Sequence, residues 1–147
     1  FGDLASSLDF ELTRFLAELQ AIGKLLVRND GGQIWVLTQE DSMSYYTSSS
    51  SSPIRTRAQH GAVKSFAKEL FRFGVRLNCA NVQLLAEQAS QEEWDAARKG
   101  VKAFAMKFKP NSTAAIAKTL RCFLEQSDLP VAGMIVPIGI GFPETNV

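Results

Sequence analysis

The stretch FAKELFRFGVRLN, residues 66–78, joins a helical pattern to a strand pattern across a single glycine. On its helical side, apolar residues recur every three or four positions, the spacing of one helix face: Ala58, Ala62, Phe66, Leu70 and Phe73. Gly74 is suited to end this helix, because glycine adopts the left-handed conformation at little cost. The run VRLNCANVQLL, residues 75–85, favours a buried strand. The junction therefore predicts a helix from near Pro53, a turn at Gly74 and a buried strand.

An earlier helix–turn–strand unit has the same pattern. Apolar residues at three- and four-residue intervals predict a helix over about 8–28: Leu8, Leu12, Phe15, Leu16, Leu19, Ile22 and Leu26. Residues 29–32, Asn-Asp-Gly-Gly, supply turn chemistry. QIWVLT, Gln33–Thr38, is a nearly continuous β-favouring run that suits a strand buried on both faces of a parallel sheet. The serine run 48–52 is expected to be a loop.

The C-terminal third continues the alternation. QEEWDAARKGVKAFAMKF, residues 91–108, has acids early and lysines late, as the helix dipole favours. Pro110-Asn111-Ser112 is expected to cap a last helix that runs through Leu124, and VAGMIVPIGIGF, residues 131–142, predicts a final strand. The order α-β-α-β-α-α-β, with right-handed crossovers, predicts an α/β fold: a single domain, residues 1–147, with a parallel sheet covered by helices on both faces.

Composition narrows the classes of function. The chain has 147 residues, 46% apolar, and a formal charge of +1, so we expect a globular domain that binds no nucleic acid. No apolar run is long enough to span a bilayer and no signal peptide is visible, so we expect a cytoplasmic protein that does not associate with membranes. Cys79 and Cys122 lie in apolar segments without metal-ligand spacing, and both are expected to be buried, reduced thiols.

Three stretches resemble the short-chain dehydrogenase/reductase family, the Rossmann-type ketoreductases. GGQIWVLT, residues 31–38, is similar to the family's strand that ends on the catalytic serine, and FAKELFRFGVRLN to its helix-to-strand passage. NSTAAIAKTLRCFLEQSDLPVAGMIVPIGIG, residues 111–141, is similar to its closing segment. The resemblance covers nearly the whole chain and implies the C-terminal half of the fold. The chain begins with Phe rather than Met, and the first βα units are expected to lie outside it.

The resemblance also implies where the family's chemistry would stand. The family uses a tyrosine as proton donor, a lysine four residues later, a serine about 13 residues earlier and a relay asparagine. Counting back from Lys68 and Glu69 places the tyrosine position on Ser52 and the lysine position on Thr56. Counting forward from Gly32 places the serine position on Gln39, and the two counts agree in spacing. The remaining positions are replaced as well: the relay asparagine falls near Glu11, and the family's Pro-Gly falls on Val82-Gln83.

A rival register, that is, a different alignment of this sequence to the family's motif, assigns the tyrosine position to His60 and the lysine position to Lys64. Histidine can act as a general acid, but this register removes about eight residues, two helical turns, from a helix that must cross the whole sheet. The alternative is that both face solvent, with Lys64, Lys68 and Arg72 forming an exposed stripe. Tyr45 and Tyr46 have no lysine four residues later.

No cofactor is expected in this chain. The family's glycine-rich phosphate turn belongs to its first βα unit, and the GIG run at Gly139–Gly141 has no helix after it. The resemblance implies oligomers formed through the helices around 8–28 and 56–73. Phe66, Phe71 and Phe73 are interpreted either as core or as part of such an interface, and the tail GFPETNV is a possible reach to a partner.

Two hypotheses of function remain open. In the first, the chain is a catalytically degenerate ketoreductase-like domain that pairs with an active 3-oxoacyl reductase, whose substrate is carried as an acyl chain on a carrier protein. In the second, it is an active NAD(P)-dependent oxidoreductase that reduces a ketone or a 3-oxoacyl thioester. His60 or Tyr46 would then be the acid, Lys64 or Arg57 the ribose contact, and the serine loop a lid. A pocket left open near Gln39, Ser52 and Thr56 would instead indicate a binding protein.

Overall fold

The computed structural model describes residues 2–39, 53–82, 85–88, 90–92, 95, 111–126 and 130–139. Its helices are α1 (Gly2–Arg28), α2 (Pro53–Phe71) and α3 (Thr113–Glu125), with a 3₁₀ turn at Ala86–Gln88. Its strands are β1 (Gly32–Gln39), β2 (Val75–Val82) and β3 (Ile135–Ile138). They form a parallel sheet in the order β1-β2-β3. The predicted α/β fold is confirmed.

The stretch 66–78 folds as its pattern predicts. Gly74 has a φ of 74° and ends the turn after α2, whose last residue is Phe71. Asn78, only 2% exposed, donates to the carbonyl of Val131 and accepts from the amide of Met134, both at 3.1 Å. The asparagine side chain thus ties β2 to the segment that leads into β3.

Two glycine turns meet at the edge where the strands begin. Gly31 has a φ of 106°, and the amide of Gly32 donates to the carbonyl of Gly74 at 3.2 Å. A Cβ added to Gly31 would lie 2.6 Å from that carbonyl oxygen. The contact fixes the register of the two strands, in which Gly32 lies opposite Val75.

The sheet is covered on both faces. On one face, α1 and α2 pack against it around a core of Leu19, Val63, Ala67, Leu77 and Cys79. On the other face, α3 packs around Ala80, Val82, Ile116 and Ile138. The ring of Phe123 stacks on Trp35 with their centroids 4.9 Å apart. Alternate residues of β2 therefore enter different cores, as a strand buried on both faces requires.

Some details differ from the prediction. Cys79 is buried, but Cys122 is exposed, because it lies on the solvent side of α3. Ile22, expected on the core face of α1, is 46% exposed. The last strand is shorter than predicted, at Ile135–Ile138. Of the helix predicted over 91–108, residues 91, 92 and 95 are described, and they are helical.

Candidate functional site

The carboxyl ends of β1 and β2 bring together the positions to which the resemblance assigns chemistry. Gln39 and Val82 are the last residues of their strands and lie opposite each other. Thr56, in the first turns of α2, is 5% exposed, and its hydroxyl donates to the main-chain carbonyl of Gln39 at 3.5 Å. The structure therefore places Gln39, Thr56 and Val82 at one edge of the sheet, which is the usual ligand edge of parallel α/β folds.

Glu11 lies near this edge through an ion pair. Its Oε2 accepts from Nη1 of Arg55 at 2.8 Å, one residue before Thr56 in the chain. The Arg55 and Glu11 side chains are 34% and 43% exposed, so the pair contributes at most about 1 kcal/mol to stability. Arg55 thus holds the carboxylate of Glu11.

Gln88 is a site residue that the sequence analysis did not single out. Its Oε1 accepts from the amide of Leu85 at 2.7 Å, and its side-chain amide meets that of Gln39 at 3.4 Å. The two glutamines lie 49 positions apart in the sequence, so no local pattern predicts their contact.

Glu87 fixes the start of α3 beside the same edge. Its carboxylate accepts from the amide of Thr113 at 3.1 and 3.2 Å, and Ser112 caps the helix by accepting from the amide of Ala115. Hydrogen bonds from its own backbone and from that of Thr113 hold the pKa of Glu87 below its ordinary value. The cap at Ser112 was predicted from the sequence, whereas the role of Glu87 was not.

An apolar cavity of about 350 Å³ opens between this edge and α3. Leu37, Val82, Leu85, Ile116 and Leu120 form its apolar walls. Gln39, Gln88 and Thr113 add polar groups to its lining. Of the predicted pocket residues, Gln39 lines this cavity and Thr56 does not.

His60 is buried, so the expectation that it faces solvent was wrong. It is 6% exposed, because α2 turns this side toward the sheet, and its Nε2 lies 2.9 Å from Oγ1 of Thr38. Thr38 donates its single hydroxyl proton to Oδ1 of Asn81 at 3.0 Å. Nε2 must therefore carry a proton and donate it to Thr38. Cys79 Sγ, 3.3 Å from the same oxygen, is a further donor to it.

Lys64 is exposed, as are Lys68 and Arg72, which confirms the predicted stripe. Lys64 follows Thr56 by two helical turns, about 12 Å along the axis. It lines a separate open groove with Phe71, Pro130 and Gly133. The structure does not bring Lys64 to the carboxyl edge of the sheet.

Several predicted positions lie outside the described residues: Ser52, Tyr45, Tyr46, Gln83 and most of the GIG run with the tail after it. Within the described ranges, no group of three or more His, Cys, Asp or Glu side chains is placed to hold a metal ion. No helix among them is long and apolar enough to cross a bilayer.

No protein-family model matches the sequence, and no curated protein is significantly similar to it. Solved structures do resemble it. Apo glucose dehydrogenase of Caenorhabditis elegans matches with a TM-score of 0.62 at 17% identity, over 91% of this chain and 56% of that one. A short-chain dehydrogenase/reductase from Burkholderia xenovorans matches with a TM-score of 0.60 at 19% identity, over 92% and 53%.

A third match is a 3-oxoacyl-[acyl-carrier protein] reductase with bound NAD from Brucella melitensis. Its TM-score is 0.58 at 17% identity, over 82% of this chain and 44% of that one. The chain thus has the fold of part of a short-chain dehydrogenase/reductase, and spans about half the length of the structures it matches. The fold that the resemblance implied is confirmed.

Proposed function

We propose that this chain is a catalytically degenerate ketoreductase-like domain or subunit that pairs with an active 3-oxoacyl carrier-protein reductase in fatty-acid or polyketide-type metabolism. The observation that carries the proposal is the environment of Thr56. Where the resemblance expects a lysine, a buried hydroxyl donates to the carbonyl of Gln39. A threonine carries no charge, so it cannot lower the pKa of a nearby phenol as an ammonium group does.

The other replaced positions support the same conclusion. Gln39, at the serine position, turns its amide to Gln88. Glu11, near the relay position, is held by Arg55. Both side chains have partners of their own, which fits a scaffold whose polar groups stabilise the fold.

The arrangement around His60 argues against the active alternative. A general acid must come within about 3 Å of the proton acceptor in the substrate. His60 is 6% exposed, and its Nε2 proton is committed to Thr38, beneath the sheet edge. Lys64, two helical turns beyond Thr56, lines a different groove.

The outer surfaces of α1, of α2 and of the turn after α2 support pairing with another subunit. Leu25, Phe71 and Phe73 are 58%, 59% and 53% exposed. The guanidinium of Arg72 stands over the Phe73 ring at 5.6 Å. Large apolar side chains on adjacent helices are typical of a protein interface. Phe66, by contrast, packs against the core.

We assign no cofactor to this chain, and we place the protein in the cytoplasm. The glycine-rich phosphate turn implied by the resemblance has no counterpart among residues 1–147. The nicotinamide cofactor and the carrier-bound acyl substrate belong to the active partner in this proposal. The likeness to the Brucella melitensis reductase supports the substrate class.

The test is native mass spectrometry of the protein purified from its own source. We expect an assembly that contains a second, complete reductase chain, with cofactor at the stoichiometry of that chain only. Homo-oligomers with one nicotinamide cofactor per subunit would contradict the proposal.

Steady-state kinetics of the same assembly separates the two hypotheses further. We expect H60Q and K64A to leave kcat for a 3-oxoacyl thioester within about twofold, because His60 is buried against Thr38 and Lys64 lines a separate groove. A large loss of kcat in an intact H60Q assembly would favour the active alternative.

A further inference from the structure

The helix α3 is held at both of its ends by side chains from elsewhere in the fold. At its start, the carboxylate of Glu87, in the 3₁₀ turn, accepts from the amide of Thr113 at 3.1 and 3.2 Å. At its end, Nε2 of Gln33 in β1 donates to the carbonyl of Leu124 at 2.7 Å. These two contacts fix how far the helix stands from the carboxyl edge of the sheet.

Aromatic packing reinforces the contact at the end of α3. The ring of Phe123 stacks on Trp35 with the centroids 4.9 Å apart, and Nε1 of Trp35 donates to Oε1 of Gln33 at 3.3 Å. Between the two held ends, α3 contributes Ile116, Ala117 and Leu120 to the lining of the 350 Å³ cavity. The cavity is therefore built by the way α3 is attached to the rest of the fold.

The cavity has the size and the chemistry of a small-molecule site. Its volume of about 350 Å³ falls within the range of ligand pockets. Most of its lining is aliphatic, and no charged side chain of the described residues lines it. Apolar walls that face water lack dispersion contacts, and an apolar molecule that fills the cavity supplies them. An apolar ligand is thus favoured over water.

Glu87 determines which charge such a ligand can carry. The start of a helix attracts anions, because its first N–H groups point outward. In α3 the amide of Thr113, a lining residue of the cavity, is bound by the Glu87 carboxylate, and the amide of Ala115 is bound by Ser112. A carboxylate or phosphate in the cavity would meet the negative charge of Glu87 and find these amides taken.

Two glutamines offer a place for one neutral polar group. The side-chain amides of Gln39 and Gln88 both line the cavity, and they contact each other at 3.4 Å, a long hydrogen bond. Each amide has two N–H donors and an oxygen with two lone pairs, so the pair can also bind a hydroxyl or a carbonyl group.

We propose that this cavity binds a small neutral molecule, apolar over most of its surface, whose single hydroxyl or carbonyl group contacts Gln39 and Gln88, and that Glu87 excludes its carboxylate analogues. A dinucleotide does not fit this description, because its phosphates are negatively charged. The proposal goes beyond the proposed function, because it concerns a ligand of this chain and holds whether or not the chain pairs with an active reductase.

The test is a titration of the intact assembly by nuclear magnetic resonance, with labelled isoleucine and leucine methyl groups in this chain only. Ligand bound to another subunit then gives no signal from its own site. The probes are octan-1-ol and octanoate, which have equal chain length and differ in charge. We expect octan-1-ol to shift the methyl resonances of Leu37, Ile116 and Leu120 saturably, with a dissociation constant at least about tenfold below that of octanoate at pH 7.

Three variants locate the ligand and the source of its selection. A117F fills part of the cavity and should raise the dissociation constant of octan-1-ol at least about tenfold. A114F is the matched control, because Ala114 is exposed on the same helix and does not line the cavity, and it should change this constant by less than about twofold. E87Q removes the carboxylate charge and should lower the dissociation constant of octanoate at least about threefold.

Four results would overturn the proposal. The first is a methyl shift that grows with octan-1-ol without saturating, and the second is equal affinity for the two probes. The third is displacement of octan-1-ol by NADPH with shifts of the same methyl groups. The fourth is A117F binding octan-1-ol as tightly as the parent. Native mass spectrometry, which tests the proposed function, gives its result independently of all four.

Discussion

At the scale of single residues, the polar groups around Thr38 form a buried chain of hydrogen bonds. His60 donates to Thr38, and Thr38 donates to Asn81, so α2, β1 and β2 are joined beneath the carboxyl edge. Thr38 and Asn81 are 5% and 3% exposed. Buried polar groups of this kind stabilise the fold only while every member has a partner.

Removing the imidazole should therefore destabilise the domain. H60A leaves a cavity and takes a donor from Thr38, and we expect the free energy of unfolding to fall by about 2–3 kcal/mol. Urea unfolding followed by circular dichroism measures the change. K64A, on the exposed side of the same helix, should change the free energy of unfolding by less than about 0.5 kcal/mol. Equal effects of the two substitutions would contradict the buried arrangement.

Glu87 should make the stability of the domain depend on pH. Its folded-state pKa is depressed, so its contribution to stability is present above the ordinary glutamate pKa and is lost as pH falls through the folded value. We expect E87Q to lower the melting temperature at pH 7, because the carboxylate that holds the amide of Thr113 is gone.

The difference between E87Q and the parent should shrink as pH falls, and should vanish below the folded pKa of Glu87. E125Q is a suitable control, because Glu125 pairs at the surface with Arg121 at the far end of α3. A constant difference between pH 7 and pH 3 would show that the carboxylate charge is not involved.

At the scale of elements, the contact between the two glycine turns fixes the strand register. Gly31 has a positive φ, and its Cα hydrogen points at the carbonyl of Gly74, so no side chain fits there. Because the side-chain period of a strand is two, a shift of β1 by one residue would exchange its two faces and move Val36 out of its core.

Alanine substitutions at two glycines test this contact. We expect G31A to lower the free energy of unfolding by about 1–3 kcal/mol, through backbone strain and the approach to Gly74. G61A, in the exposed interior of α2 with open space around its Cα, should raise it by about 0.5–1 kcal/mol. Chemical denaturation measures both, and a stabilising G31A would contradict the turn geometry.

At the scale of the whole molecule, the described residues offer two kinds of surface to other polypeptides. Among the described strands β1 pairs only with β2, so its other edge offers main-chain N–H and C=O groups beside the exposed Leu37. The outer side of α1, α2 and the turn after α2 offers exposed apolar side chains, including Leu25, Phe71 and Phe73. The first suits extension of the sheet, and the second suits packing of helix against helix.

The helix surface should govern assembly. We expect the double variant F71S/F73S to weaken subunit association at least tenfold, measured by sedimentation velocity, because it removes two large exposed apolar side chains. L124S, which removes a similarly exposed leucine from α3, should leave the assembly intact. Dissociation by L124S and not by the double variant would move the interface to the α3 side.

Local sequence signals predicted the order of the described helices and strands and their parallel sheet. The 3.6-residue spacing in α1 and α2, the apolar runs of β1 and β2, and the glycines at 31 and 74 are local signals, because each depends on neighbours within a few residues. The capping signal at Ser112 is also local, because its side chain accepts from the amide of Ala115, three residues later. The assignment of Gln39 and Thr56 to the family's serine and lysine positions depended on the resemblance and not on a local signal, and it stays a prediction.

Only the tertiary structure decided which polar side chains are buried. His60 lies in a helix with mixed polarity, and its sequence neighbours do not reveal that it faces Thr38, 22 residues away. The contact of Gln39 with Gln88 and that of Glu87 with Thr113 depend on how the sheet edge meets α3. Exposure of Cys122 depends on which side of α3 meets the sheet. Burial and long-range hydrogen bonds are properties of packing, so a local pattern does not contain them.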